Sequence, residues 1–276
     1  MKKRLMAIAS LLVVLCFASC GKKDPNELLE NSTRLDWGGL TETVNKNPAR
    51  AEQDYEGKWY NFEGTVMEIS TDYCVISDDI NSAAAVEMTL SISNKDDLAS
   101  LNLGDILQVV GKLNSISEKK LTDVSIVKRT PMEENVEYLT KYFLYGDGCA
   151  EALLGKIDTF TKLDGAKINE IFSASYTKNF YKKYYSIKDG VYSDGGYYEN
   201  TLITREGGTG YFQELGKESI IWCVEGNTLY FKTSNEKDSL LKTDDYKFDV
   251  YRIDNDGWNG RSILCVGTET AFIVHH

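Results

Sequence analysis

Three observations predict a mainly β protein with short helices (β/α+β) in two modules: a five-stranded barrel, then an antiparallel meander preceded by helices. Strand-like runs crowd residues 58–128 and again 197–274, each bounded by turn residues. Runs at helical spacing are short and cluster ahead of each β series. Proline is scarce, at 3 residues, and the 22 glycines sit mostly at turns rather than in low-complexity tracts. A chain of 276 residues, less a leader and a tether, leaves about 240 to fold, more than one small domain needs.

The N-terminus reads as an export signal. Lys2, Lys3 and Arg4 precede an apolar run, Leu5 to Ser19, that is too short and wrongly flanked for a spanning helix. Small residues Ala18 and Ser19 then lead to Cys20. Residues 1–19 are expected to be cleaved, and residues 20–35, polar and unpatterned, to form a tether. A first domain is expected over 36–130. Its short helix within Leu40 to Tyr55 has a start signal at Asn47-Pro48, because proline suits the first helical position. Strands are predicted over Lys58 to Ser70, Tyr73 to Ser77, Ala85 to Ser93, Asp105 to Asn114 and Leu121 to Lys128, with a one-to-two-turn helix from Lys95 to Leu101. Gly64 can permit a bulge in the long first strand, Gly104-Asp105 turns into the fourth, and Leu107 and Val109 share the interior face. Five strands with a small helix between the third and fourth follow the element order of an OB-fold.

Thr130 to Glu134 is the linker, and residues 131–276 form the second domain. Helices are predicted over Asn135 to Tyr145 and Ala166 to Phe172, the latter continuing through Tyr176, Phe180 and Tyr184 at i, i+4, i+8. Strands follow over Tyr197 to Thr204, Gly210 to Glu214, Ser219 to Val224, Thr228 to Thr233, Lys247 to Ile253 and Ser262 to Val274. Turn signals separate them at Gly207-Gly208, Gly226-Asn227 and Asp256-Gly257.

Three resemblances accompany these readings. Phe17-Ala18-Ser19-Cys20 resembles the lipobox of bacterial lipoproteins, Phe17 departing from the usual aliphatic residue, and implies a diacylglyceryl group on Cys20. Gly21-Lys22-Lys23-Asp24 lacks an aspartate directly after that cysteine, which by the same resemblance implies the outer membrane. The ordered set Ala51-x3-Tyr55-x-Gly57-Lys58, Gly64-x-Val66-x2-Ile69 and Leu101-x2-Gly104-Asp105-x-Leu107-x-Val109-x-Gly111 resembles the tRNA-anticodon-like OB-fold domain of bacterial envelope lipoproteins. Leu202 to Tyr211, then Trp222 and Gly226-Asn227-Thr228-Leu229, is similar to the lipocalin-like domains of Bacteroidetes lipoproteins. That similarity implies a lipocalin-like half-barrel, although the usual Gly-x-Trp opening is missing. An unrelated half-barrel or a cystatin-like helix-plus-sheet arrangement remains open.

Composition restricts the chemistry. Net charge is −11, shared as 9 Lys/Arg against 14 Asp/Glu over 44–130 and 16 against 23 over 131–276, so a nucleic-acid backbone meets net repulsion from either part. The only histidines are His275 and His276, which opposes histidine catalysis and His-ligated metal; no metal or cofactor is expected. Cys74, Cys149, Cys223 and Cys265 remain after Cys16 leaves and Cys20 is lipidated. Three pairings are possible, and the apolar strand-like runs around Cys223 and Cys265 favour free buried thiols. Gly207-Gly208-x-Gly210 lacks the P-loop lysine and lies between strands, so it reads as a hairpin turn. Asp254-Asn255-Asp256-Gly257 with Asn259 begins like a calcium loop, but Cys265 stands at the twelfth position where glutamate is required. Adjacent carboxylates Asp78-Asp79, Asp96-Asp97 and Asp244-Asp245 diverge in direction and read as loop or helix-start residues. No catalytic residue is assigned.

Aromatic side chains are the remaining candidates for ligand contact: Trp59, Tyr60, Phe62 and Tyr73 on the first barrel, and Tyr181, Tyr185, Tyr197 and Tyr198 on the second module. Tyr60 and Phe62 are equally the residues that would fill the barrel. The expected function is a non-enzymatic, membrane-tethered binding or scaffolding lipoprotein. Its partners are the membrane, through lipid on Cys20, and an envelope protein or glycan, with no nucleic acid expected. The alternatives are a carboxylate-dependent hydrolase of envelope glycans and an OB-fold nucleic-acid binder.

Overall fold

The computed structural model describes residues 24–82, 85–174, 177–188, 191–213, 219–233, 246–254 and 261–275, with the side chains of 185–188, 191–195 and 197 excepted. Cys20 and the export signal lie outside the described residues, as do Tyr176, Asp244, Asp245, Asp256, Gly257, Asn259 and His276. Contacts divide the chain into two compact units, residues 24–79 with 85–129 and residues 80–82 with 130–275.

The first unit begins inside the segment expected to be tether. Asp24 accepts a hydrogen bond from the Asn26 amide and Pro25 takes the first position of α1 (Pro25–Glu30). Leu28 and Leu35 are buried, and β1 (Thr33–Arg34) pairs in parallel with the start of β2 (Trp59–Ile69). The tether expectation therefore fails from residue 24 onward: Asp24-Pro25 is the same start signal as Asn47-Pro48, and two leucines have a core to enter. The expected Leu40–Tyr55 helix is two helices, α2 (Trp37–Lys46) and α3 (Pro48–Tyr55). Asn47, extended at φ −159°, ends one and caps the other by accepting the Arg50 amide at 3.1 Å.

Strands β3 (Tyr73–Ser77), β4 (Glu87–Ser91), β5 (Ile106–Ser115) and β6 (Lys120–Thr130) complete the unit, with α4 (Lys95–Ala99) between the third and fourth barrel strands. The order β2-β3-β4-β6-β5 returns to β2 through the β2–β5 pairing, and β4 and β6 run parallel. A five-stranded ring with this crossover is the arrangement of an OB-fold. Inward residues meet across strands, Phe62 opposite Val109 and Ile76 opposite Met88, all buried. Leu98 of α4 and Leu101 join the same core.

The bulge expected at Gly64 falls three residues later, between Val66 and Glu68, where it moves the inward parity so that Ile69 meets Cys74. Gly64 answers to a different constraint. A Cβ there would stand 2.6 Å from the Ser77 carbonyl oxygen, so β2 and β3 approach too closely for any side chain. Gly64→Ala is expected to destabilise the chain by about 1–3 kcal/mol, read as a lower denaturant midpoint at unchanged slope.

The second unit opens with a 3-10 turn (Met132–Glu134), α5 (Val136–Lys141) and α6 (Cys149–Leu154), followed by a 3-10 turn (Ile157–Thr159), β7 (Thr161–Lys162) and α7 (Gly165–Ser173). Helix α6 was not anticipated, and α5 is shorter than the predicted Asn135–Tyr145. The larger correction concerns the segment after α7: the predicted helical continuation is a strand, β8 (Thr177–Lys188). A spacing of four residues is two strand periods as well as one helical turn, and Tyr and Phe favour strands.

Strand β8 leads into β9 (Val191–Arg205), β10 (Thr209–Phe212), β11 (Ser219–Glu225), β12 (Thr228–Thr233), β13 (Lys247–Arg252), β14 (Ser262–Val266) and β15 (Thr270–His275). The predicted single strand Ser262–Val274 is thus a hairpin, its turn closed by the Gly267 amide on the Thr270 carbonyl at 2.8 Å. Each strand from β8 to β15 pairs antiparallel with the next, and β15 pairs back onto β8. The half-barrel expectation gives way to a closed eight-stranded barrel, because the overlooked β8 supplies the closing edge. At the β9–β10 turn, Gly207 and Gly208 have φ of +88° and +80°, and a Cβ on Gly208 would lie 2.4 Å from the Trp222 oxygen.

The barrel interior is a packed aromatic core. Phe180 faces Val274, Trp222 faces Phe231, Leu229 faces Phe248 and Leu202 faces Phe212 across neighbouring strands. Ring centroids of Phe180 lie 5.0 Å from both Phe212 and Phe272, and Phe272 lies 4.9 Å from Phe248. Helix α7 adds Ile168, Ile171 and Phe172 to the same core, with the Phe172 ring 5.8 Å from Trp222.

Among the described residues, a buried cation enters this core. Lys178 shares the inward face of Phe180 and is fully buried, its Nζ donating to the Ala174 carbonyl at 2.8 Å and to Thr204 Oγ1 at 2.9 Å. It fastens the C-terminal end of α7 to β9. Burial pushes the ammonium pKa down from 10.5 to about 8. Between these values the unfolded chain binds more protons at this site than the folded chain, so Lys178 contributes a stability that rises with pH across that window. In paired unfolding measurements on wild type and Lys178→Met, the wild type is expected to gain on the variant from pH 8 to pH 10.5, by on the order of 3 kcal/mol.

Candidate functional site

Within each unit, the described residues nominated for ligand contact do not assemble into one surface. Tyr60 and Phe62 are 6% and 7% exposed and pack inside the first barrel, so little of either ring is open to stacking. Trp59 and Tyr73 are half-buried but lie near opposite ends of β2, since Tyr73 adjoins Ser70 and Trp59 lies eleven residues earlier, about 30 Å along a strand. The Tyr73 hydroxyl donates to Glu68 Oε1 at 2.8 Å, and that bond raises its pKa.

The second module separates its tyrosines as well. Tyr198 turns toward the aromatic core, with its ring 5.3 Å from Phe212, and accepts a hydrogen bond from Asn200 Nδ2 at 3.1 Å. Tyr181, of opposite parity to Phe180, faces outward with its ring 5.3 Å from His275, and burial raises its pKa. The side chains of Tyr185 and Tyr197 lie outside the described residues. Alternation in β8 and β9 sends Tyr181 and Tyr198 to different faces of the sheet, which the count of tyrosines could not reveal.

His275, set aside in the sequence as a terminal residue, meets a serine. Its Nδ1 lies 2.6 Å from Ser262 Oγ across the β14–β15 pair. Both residues are buried, at 7% and 0% exposure, so the pair sits within the strand packing rather than on a cleft wall. The nominated carboxylates hold backbone and neighbours. Asp78 Oδ1 accepts the Val86 amide at 2.7 Å, and Asp96 and Asp97 sit in the first turn of α4. Asp254 accepts from Arg252 Nε and Thr161 Oγ1, each at 3.0 Å. Among the described residues, no group of three His, Cys, Asp or Glu side chains could hold a metal ion.

Two adjoining clefts beside β1 are the cavities of the first unit that sequence reading did not foresee. One, of about 700 Å³, lies between the α2 start and β2, with Leu35, Trp37, Phe62 and Val86 as apolar walls and Asp36, Glu63 and Asp78 as acidic ones. Its neighbour, of about 670 Å³, is lined by Arg34, Lys46, Arg50 and Lys58 together with Asp36, Asp54, Tyr55 and Tyr60. They share Arg34 and Asp36 and differ in the sign of the charge they present. The available signal was Arg34 within the presumptive tether and three further cations flanking the Asn47-Pro48 start, but only folding brings them to one wall.

All four remaining cysteines are free thiols. Burial raises the pKa of Cys74 to about 12 and of Cys149 to about 11, and that of Cys265 well above its usual value. Cys223, outward on β11 beside the inward Trp222, is half-buried. A thiol-alkylating reagent at neutral pH is expected to modify Cys223 first of these four and to reach the other three only in denaturant. Equal native-state rates at Cys223 and Cys265, read by peptide mass spectrometry, would contradict this packing.

Residues 1–129 match the protein-family model described as tRNA_anti-like. A solved structure from Klebsiella pneumoniae subsp. pneumoniae MGH 78578, described as a "putative nucleic acid-binding lipoprotein", is similar at 18% identity with a TM-score of 0.31, covering 38% of this chain and 100% of that one. No curated protein matches the chain. Among the described residues no helix is long and apolar enough to cross a membrane. The family match falls on the part of the chain whose strands close as β2-β3-β4-β6-β5, the strand order of an OB-fold.

Proposed function

We propose that the chain is a lipid-anchored, non-enzymatic binding or scaffolding protein of the bacterial envelope, held in the outer membrane through Cys20. The observation that carries this reading is the succession Lys2-Lys3-Arg4, apolar run, Ala18-Ser19-Cys20, which supplies charge, length and small residues where a lipoprotein signal requires them. Two acyl chains on one thioether, at about 0.8 kcal/mol per buried CH₂, hold a protein on a bilayer without further contact.

Packing supports a binding role for outer surfaces. The second barrel is up-and-down and eight-stranded, which supports a lipocalin-like reading, but its interior is occupied by Phe180, Phe212, Phe231, Phe248 and Phe272. An eight-stranded barrel has room for side chains or for one small ligand, and rings 5 Å apart take that room. Recognition of an envelope protein or glycan then falls to the exterior and to the clefts beside β1. A second reading, a nucleic-acid binder in line with the family description, draws on the cationic cleft of Arg34, Lys46, Arg50 and Lys58. Net charge of −11 opposes it, and a salt-dependent shift of single-stranded DNA or RNA at low ionic strength separates the two readings.

Cys20→Ser is expected to move the chain from the membrane fraction to the soluble fraction with its thermal unfolding unchanged. Retention of the serine variant in washed membranes would overturn the anchor.

A further inference from the structure

We propose that the cationic cleft between β1, α2, α3 and the start of β2 holds the phosphate-bearing headgroups of the membrane to which the chain is anchored. This inference rests on Cys20 being the lipid anchor. Residues 24–60 contain eight Asp or Glu and only four Lys or Arg, yet all four cations line this one cleft, joined by only two of the eight carboxylates. Composition alone predicts an acidic wall; folding produces a cationic one.

The cations are available. The Arg34 side chain is exposed and makes no ion pair or hydrogen bond among the described residues. Lys46 pairs with Glu42, and Arg50 with Asp54 at 3.1 Å, each one helical turn apart, with the four side chains between 47% and 73% exposed. Exposed pairs of this kind are weak and exchange readily for a phosphate oxygen. Lys58 donates to the Asp54 carbonyl, which holds its ammonium at the α3 end of the cleft. A volume of about 670 Å³ is ample for a phosphodiester and its glycerol.

Tethering selects the source of the phosphate. Arg34 follows Cys20 by fourteen residues, a reach of at most about 50 Å, shortened because Pro25–Glu30 is helical. An anchored cleft meets headgroups at high effective concentration, so an affinity too weak to retain free phosphate still suffices at the bilayer. An anionic leaflet attracts this wall and repels the acidic remainder of the chain, and the attraction acts within about one Debye length, roughly 10 Å. Headgroup binding therefore orients the first unit with its β1 side toward the membrane.

The test uses the full lipidated chain on vesicles of phosphatidylcholine, alone or with phosphatidylglycerol, treated with a membrane-impermeant amine reagent and read at Lys46 and Lys58 by peptide mass spectrometry. Lys95 and Lys167, outside the cleft, are the references. Lys46 and Lys58 are expected to label at least about threefold more slowly on the anionic vesicles, with the protection lost in about 0.5 M salt. Arg34→Gln with Arg50→Gln is expected to weaken that protection while the references stay unchanged. Equal labelling on both vesicle types overturns the proposal while leaving the anchor intact. Protection by pyrophosphate or by a single-stranded oligonucleotide on neutral vesicles, without an effect of phosphatidylglycerol, overturns the lipid assignment. A chain that fails to float with neutral vesicles removes the anchor itself, and with it the premise.

Discussion

Closure of a β-sheet onto itself requires that the first and last strands of a series find each other, and the inward residues then share one confined volume. In the second unit the Val274–Phe180 partnership brings β15 to β8 and completes the ring. Every strand from β8 to β15 then has two neighbours, and inward Phe, Trp, Leu and Ile side chains meet in a single core. The same constraint acts in the first unit, where β2 is long enough to pair with β5 along its first half and with β3 along its second. Gly64 lies where β2 changes partner, and the close approach of Ser77 there depends on the absence of a side chain.

Filled barrels move function outward. Among the described residues, five phenylalanine rings fill the second barrel and Tyr60 and Phe62 enter the first. Two exposed clefts are built from segments added around the first ring: β1, α2 and α3 lie against β2 and separate an acidic wall from a basic one. Apart from Glu63 on β2, the charged residues of both clefts lie outside the barrel strands. Added elements around a shared ring are where one domain can acquire a function of its own.

The order of elements in the first unit was legible because turn residues and strand-like runs are local signals, and β3 matches its predicted Tyr73–Ser77 limits. Leu107 and Val109 enter the interior as alternation requires. Less legible were segments in which local signals support two outcomes. The Tyr176, Phe180, Tyr184 spacing fits helix and strand alike, and the pairing of β8 with β9 and β15 decides for strand. Residues 25–35 look like a polar spacer until Leu28 and Leu35 find a core. The nominated tyrosines were found by type, whereas whether a ring faces solvent depends on strand parity and on cover from other elements.

By itself the sequence determined the mainly β character, the order of strands in the first unit and the acidic balance, because each is a property of residues close together along the chain. Tertiary structure alone decided that the second sheet closes, that Lys178 is buried against Ala174 and Thr204 and that Ser262 meets His275. It also decided that Arg34, Lys46, Arg50 and Lys58 share one cleft while most nearby carboxylates do not. The physical reason is separation along the chain: these groups are brought together only by strand register and helix docking, and no local spacing encodes a contact that two distant segments must make jointly.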